Sequence, residues 1–313
     1  MFTSLPLAEM LRAQDRTRAA ELAAFSGCLR GGVAEHLDQG ASDVRIYGAG
    51  VWLSQEVSPI PGGGTHPLVL ADPSLLDGEE TGSVVWALDH PLLLAHLRAM
   101  TGGAAPAQDL VAVSADMPRE HFEETGKAVA GGLRGVFGAR VTMNGAPGIL
   151  TAGHVTSPNA TSQVHRRDGH QACDATGACA PVVFASHAGT TTRREPLADV
   201  AVVELPQQAT KDQRIGAPTV AGPDEQLRRL GGSGRGRPGE RYRALCTWVR
   251  VNNRTGLWGD VYMTEKQIGR AGDSGSAVVD SQGRLVGHYL GATSANGFVQ
   301  QIFTQLPPGC SVP

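Results

Sequence analysis

The spacing of apolar positions divides the chain into a helical opening, a mixed stretch and a long run of strands. From about Leu5 to Cys28, the residues Leu7, Met10, Leu11, Leu22 and Phe25 fall roughly on one face of a helix, with Ser4 as N-cap and Gly31-Gly32 as its stop. Val44–Tyr47, Val51–Leu53, Leu68–Ala71 and Ser83–Ala87 read as strand pieces. His90–Met100 reads as a helix closed by Gly102-Gly103, and Gly102–Gln108 as a small, flexible linker. A further helix is predicted over Met117–Gly131, with Asp116 as N-cap and Pro118 in its first turn.

From Val136 onward the period is that of strands. Val136–Met143 is a strand-like run, Asn144-Gly145 marks a type I′ hairpin, and Gly148–Ala152 returns as the partner. Val200–Leu205 is continuously apolar and stops at Pro206, as a buried strand does. Tyr242–Val251 reads as one long strand. Ala277–Asp280, a turn at Ser281-Gln282-Gly283 and Leu285–Leu290 read as a further hairpin.

Three segments at strand ends carry complementary chemistry: Thr151-Ala152-Gly153-His154, Ala198-Asp199-Val200 and Gly272-Asp273-Ser274-Gly275-Ser276. A serine hydroxyl is a poor nucleophile at neutral pH unless a base lies within hydrogen-bond reach. Histidine titrates near neutrality, so His154 can take the Ser274 proton and return it to a leaving amine. A carboxylate must hold the ring in the right tautomer and stabilise the imidazolium, and Asp199 is the candidate. Glycines around Ser274 let the backbone turn its N–H groups toward a developing oxyanion. Taken singly, each segment has an ordinary reading: a turn, a structural histidine, a strand boundary.

In the order His, Asp, Ser, and with these gaps, the segments resemble the catalytic triad of the trypsin-like (chymotrypsin-fold) serine peptidases, over roughly residues 110 to 313. The resemblance implies a mainly β fold: two six-stranded antiparallel β-barrels over residues 108–313, preceded by a small α+β N-terminal region over 1–107. It implies an endopeptidase that works through an acyl-enzyme on a protein or peptide substrate, with His154, Asp199 and Ser274 as its triad. No metal or organic cofactor is called for. The oxyanion hole would be the N–H groups of Gly272 and Ser274. The substrate pocket would involve Ile268, in the stretch before the serine, and the returning strand His288, Tyr289, Leu290 and Gly291. Ile268 stands where the trypsin branch has an acid, which disfavours cleavage after Arg or Lys. An apolar or small side chain is preferred, with His288 and Tyr289 meeting an acidic one as the alternative. Leu227–Gly234 resembles the bacterial pattern that opens the second barrel. No activation site is recognisable, and compact bacterial relatives supply an arginine to the Asp before the serine. The corresponding ion pair here runs from Arg228 or Arg229, with Arg229 preferred, to Asp273. The alternatives are two solvated arginines, or Arg270, nearer in sequence. The competing class is a non-catalytic binding module that keeps the fold.

Composition bounds the rest. A chain of 313 residues suggests two domains. The formal net charge of -3 calls for no polyanion partner, so Arg228, Arg229, Arg235, Arg237, Arg241 and Arg243 are not read as a nucleic-acid patch. Lysines are scarce and glycine abundant, a bias of GC-rich bacterial genomes. No secretory signal is visible and no apolar stretch is long enough to span a membrane, so a cytoplasmic protein is expected. The five cysteines are then expected to be reduced, although Cys173 and Cys179, in a loop, could close a small disulfide after export. His165, His170 and His187 lie near that pair in spacing unlike common zinc sites. The N-terminal third resembles no family. It is either a regulatory or partner-binding module that restrains an intracellular peptidase, or a packing extension of it.

Overall fold

The computed structural model describes residues 16–41, 43–61, 64–104, 107–120, 134–156, 164–165, 171–174, 179–186, 196–204, 215–230, 239–251, 257–303 and 305–312. The first half contains α1 (Arg16–Asp38), β1 (Ile46–Trp52), β2 (His66–Ala71), β3 (Val84–Trp86), α2 (Pro91–Met100), β4 (Val111–Ser114), β5 (Arg119–Glu120), β6 (Arg134–Gly135), β7 (Arg140–Met143), β8 (Ala146–Thr151) and α3 (Gly153–Thr156). The second half contains β9 (Val164–His165), β10 (Gln171–Asp174), β11 (Cys179–Ser186), β12 (Pro196–Leu197), β13 (Val200–Glu204), β14 (Gln226–Arg229), β15 (Glu240–Arg250), β16 (Leu257–Thr264), β17 (Ala277–Val279), β18 (Leu285–Ala292), β19 (Gly297–Gln301) and β20 (Cys310–Ser311). The protein is mainly β, as the sequence implies.

Two sheets organise these strands. An eight-stranded sheet runs β20-β7-β8-β13-β11-β10-β6, with β9 beside β11. Its β7–β8 turn is the expected Asn144-Gly145, both residues at positive φ. A twelve-stranded sheet runs β12-β16-β19-β18-β17-β14-β15-β1-β2-β4-β3, with β5 beside β18. Because β15 also pairs with β16, the strands β14, β15, β16, β19, β18 and β17 pair in a closed circuit. The β4 strand, Val111–Ser114, was not anticipated; its four residues are all buried, a run too short to be told from loop by periodicity.

The N-terminal strands are not set apart from the rest. β1 lies antiparallel to β15 from Gly48↔Val249 to Trp52↔Ala244, so the sheet crosses the expected 107/108 boundary without a break. One buried cluster joins Leu29 and Val33 of α1, Leu93 and Leu97 of α2 and Trp248 of β15. The Trp248 indole donates to the Ser26 carbonyl of α1 at 3.0 Å. Each such buried large side chain contributes about 2–3 kcal/mol.

Two helix expectations need correction. Gly31-Gly32 do not end the first helix, which continues to Asp38. A side chain at Gly32 would collide with the Met100 carbonyl, so this glycine lets α1 approach α2. Leu5–Asp15 lie outside the described residues. The helix expected from Met117 is not one at its start, because Arg119 and Glu120 form β5, opposite Ala292 and Gly291 of β18. Asp116, read as an N-cap, instead accepts from the Ser294 N–H at 2.8 Å. Residues 121–131 of that expectation lie outside the described residues. Val44–Tyr47 and Val51–Leu53 form essentially one strand, β1, rather than two pieces. Cys173 and Cys179 are not in a loop; they are register partners on β10 and β11. Cys28, Cys246 and Cys310 are free thiols. No helix among the described residues is long and apolar enough to cross a membrane.

One carboxylate in β16 is poorly solvated. Burial pushes the Asp260 carboxyl up to about 6, against a hydrogen bond from Gln305 that lowers it. The native state therefore holds this proton more tightly than the unfolded chain. Its contribution to stability is present below the ordinary carboxyl range and is lost as pH rises through about 6. Asp260→Asn removes that loss, and asparagine tolerates the residue's φ of 49°. The variant is expected to be more stable than the parent by about 1–2 kcal/mol at pH 8, a gain that shrinks toward pH 4 in thermal melts.

Candidate active site

Strand register brings the first two candidate residues together. β13 pairs with β8 so that Ala201 faces Thr151, which sets Asp199 and Gly153, each two residues beyond that pair, side by side. Past β8 the chain makes the single turn α3, carrying His154. A side chain at Gly153 would strike the Ser186 carbonyl and crowd the Asp199 carboxylate, so only glycine permits this approach. The carboxylate then grips the turn at two points. Oδ1 accepts the His154 backbone N–H at 2.7 Å, and Oδ2 lies 2.7 Å from His154 Nδ1. Since an ionised carboxylate can only accept, Nδ1 carries the proton of this contact, and in the neutral ring Nε2 keeps its lone pair.

Asp199 is held from further sides. The Trp258 indole of β16 donates to Oδ2 at 2.9 Å. The Gln300 side chain of β19 accepts the Asp199 N–H at 3.0 Å and donates to the Gly259 carbonyl at 2.8 Å. His288 of β18 points Nε2 at the Asp199 carbonyl, 2.7 Å away. A carbonyl accepts, so this nitrogen is protonated. Burial pushes the His288 ring down to about 4 and keeps it neutral at physiological pH.

Ser274 sits in the turn ahead of β17. Gly272 and Gly275, at φ of 87° and 91°, make that turn. The Val136 N–H donates to the Ser274 carbonyl and the Gly275 N–H to the Tyr289 carbonyl. The Ser274 hydroxyl donates to the Leu290 carbonyl at 2.7 Å. Leu290 packs in one cluster with Ala152 and Val155, the neighbours of His154. His154, Asp199 and Ser274 are all fully buried.

The residue before the serine is anchored as well. Arg229 Nη2 stands 3.3 Å from Asp273 Oδ2, and its Nε donates to the Ile268 carbonyl at 3.0 Å. The same carboxylate oxygen accepts the Arg270 N–H at 3.0 Å. Strand alternation separates the two arginines: on β14, Arg229 points inward and is buried, whereas Arg228 is exposed, as is Arg270.

The expected pocket residues are placed unevenly. Leu290 and Gly291 lie beside Ser274 and β5. Ile268 and Tyr289 are buried in a core cluster with Tyr262 and Val286. His288 does not face outward to meet an acidic substrate side chain, because its Nε2 is committed to Asp199. Sequence reasoning missed Trp258 and Gln300. Nothing marks Trp258, one aromatic in an apolar strand. The Gln300-Gln301 pair in a wholly buried strand is a legible sign, since buried amides need partners. Among the described residues no three His, Cys, Asp or Glu side chains gather as a metal site. Of the histidines near the cysteine pair, His165 lies in β9, and His170 and His187 are outside the described residues.

A family profile for the trypsin-like peptidase domain matches residues 138–287, a span that contains His154, Asp199 and Ser274. The N-terminal third lies outside that match. No curated protein shows a significant sequence match. Among solved structures, the chain is similar to the Nocardiopsis protease NAPase, at 17% identity over 63% of this chain and 97% of that one, with a TM-score of 0.40. It is also similar to Thermobifida fusca protease A, at 15% identity over 61% and 92%, with a TM-score of 0.41. Cellulomonas bogoriensis chymotrypsin aligns at 16% identity over 57% and 98%, with a TM-score of 0.36.

Proposed function

We propose that the chain is a serine endopeptidase that cleaves proteins or peptides through an acyl-enzyme, with Ser274 as nucleophile, His154 as general base and Asp199 as its orienting carboxylate. The observation that carries this reading is the His154–Asp199 contact: it commits Nδ1–H to a carboxylate and leaves Nε2 as the basic nitrogen. The Ser274 hydroxyl has to turn from the Leu290 carbonyl to His154 Nε2 and then attack the scissile carbonyl. The proton passes to the leaving amine, and water completes the cycle by the same base. The N–H groups of Gly272 and Ser274 take the role of oxyanion donors. Labelling with a fluorophosphonate followed by peptide mapping tests the reading: modification at Ser274 supports it, and an intact Ser274 under conditions that label an active serine hydrolase refutes it.

The buried Arg229–Asp273 pair is proposed to hold the serine turn in working shape without proteolytic activation. Truncating Arg229 takes the guanidinium away from a buried carboxylate that keeps the Arg270 N–H. Arg229→Ala is expected to lower stability by about 3–5 kcal/mol in urea unfolding, while Arg228→Ala stays within about 0.5 kcal/mol. Equal effects of the two substitutions would remove the pair from this role.

A restrained resting form also has an observation in its favour. β5 occupies the β18 edge at Gly291–Ala292, next to the serine. An extended peptide pairing along that edge has to take the place of Arg119 and Glu120.

A further inference from the structure

We infer that Trp258 is a positioning residue for the base: its indole N–H fixes Asp199 and sets how strongly that carboxylate attracts the His154 proton. The inference rests on the peptidase reading of His154, Asp199 and Ser274.

The indole N–H can only donate, and in a fully buried position it needs an acceptor. It takes neither a backbone carbonyl nor the free lone pairs of a side-chain amide. It takes Oδ2 of Asp199 at 2.9 Å, the same oxygen that lies 2.7 Å from His154 Nδ1. The geometry is firmly built. Trp258 faces Leu197 of β12 and Val249 of β15 across two ladders, and its ring lies 5.9 Å from that of Phe298. Two donors on one oxygen share its charge, so each weakens the pull of the other. The indole thus moderates the attraction of Asp199 for an imidazolium while stopping the carboxylate from rotating.

The other groups around the pair do different work. His288 from β18 is neutral and holds the Asp199 carbonyl; Gln300 from β19 holds its N–H. Asp260, two residues along β16, titrates near 6 and would enter a pH profile, so the test is made in the Asp260→Asn background.

In that background Trp258→Phe is expected to move the acid limb of the kcat/KM profile upward by roughly half a pH unit, because the less-shared carboxylate binds the imidazolium more tightly. The plateau should fall about tenfold through kcat, with KM within about twofold, the loss typical of a hydrogen bond to a charged group. Replacing the indole by 3-benzothienylalanine, which keeps the shape but has no N–H, should reproduce both changes and covers the case in which the phenylalanine variant does not fold. A plateau and limb equal to the background in the benzothienyl protein overturns the inference. A readout independent of turnover is the indole proton resonance of Trp258 in the parent, which should move with the His154 titration; a signal that stays fixed overturns it too. Failure of fluorophosphonate to label the parent at Ser274 would instead sink the peptidase reading, with the resonance still reporting on the Trp258–Asp199–His154 coupling.

Discussion

Ser274→Ala is expected to lower kcat by about 10⁶-fold with the fold intact, because in the proposed triad the three residues act as a unit and removing the nucleophile removes all of it. The hydroxyl contributes little to the fold: it donates to the Leu290 carbonyl in a turn otherwise held by the Val136 and Gly275 backbone bonds. Loss of that bond costs about 1 kcal/mol, too little to unfold the chain. His154→Ala should be comparably damaging, and the double variant little worse than either single one. These values are read from steady-state rates beside thermal melts. Retention of more than a few per cent of activity by Ser274→Ala would place the nucleophile elsewhere.

The second large effect concerns the carboxylate. Asp199→Asn keeps the size of the side chain but changes what its atoms can do. Asp199 Oδ2 lies within hydrogen-bond distance of two donors, His154 Nδ1 and Trp258 Nε1, and Oδ1 takes a third from the His154 backbone. An amide offers one oxygen and one NH₂. Whichever way it is placed, an NH₂ group meets an N–H, or the imidazole switches to the tautomer with its proton on Nε2. In that tautomer the ring cannot accept from Ser274. A loss of about 10⁴-fold in kcat at neutral pH is expected, together with lower stability, because a donor is left unmatched in a fully buried site. Partial recovery at alkaline pH, where hydroxide can replace the missing base, would fit this account. An unaltered pH–rate profile would remove Asp199 from the site.

Much of the peptidase half could be read from local signals. Asn144-Gly145 needs only two adjacent residues to specify its hairpin, and the apolar run from Val200 needs only its own length. The segments around His154, Asp199 and Ser274 are likewise short and contiguous. The choice between Arg228 and Arg229 turns on strand alternation, a period of two that is visible in sequence. What could not be read depends on partners far away in the chain. Trp258 meets Asp199 across 59 positions, and only the β12–β16 and β15–β16 registers bring them together. The stretch after Asp116 carries a good helix signature, yet Arg119 and Glu120 extend because the β18 edge offers ladder bonds that local propensity cannot weigh. Gly31-Gly32 looks like a stop because glycine has two uses in helices, and close packing against Met100 is the one in force. The place of His288 on the returning strand offers an acidic substrate side chain as the alternative preference, whereas the buried carbonyl of Asp199 takes its Nε2.

The pairing runs unbroken from β3 through β4, β2 and β1 to β15. Between Ala244 and Val249, β15 has β16 on one side and β1 on the other. Without β1, that stretch would present a row of bare N–H and C=O groups, a template for any passing strand. β1 therefore covers this stretch of β15 as an end-cap covers a stack of repeats, closing an edge that would otherwise recruit other chains.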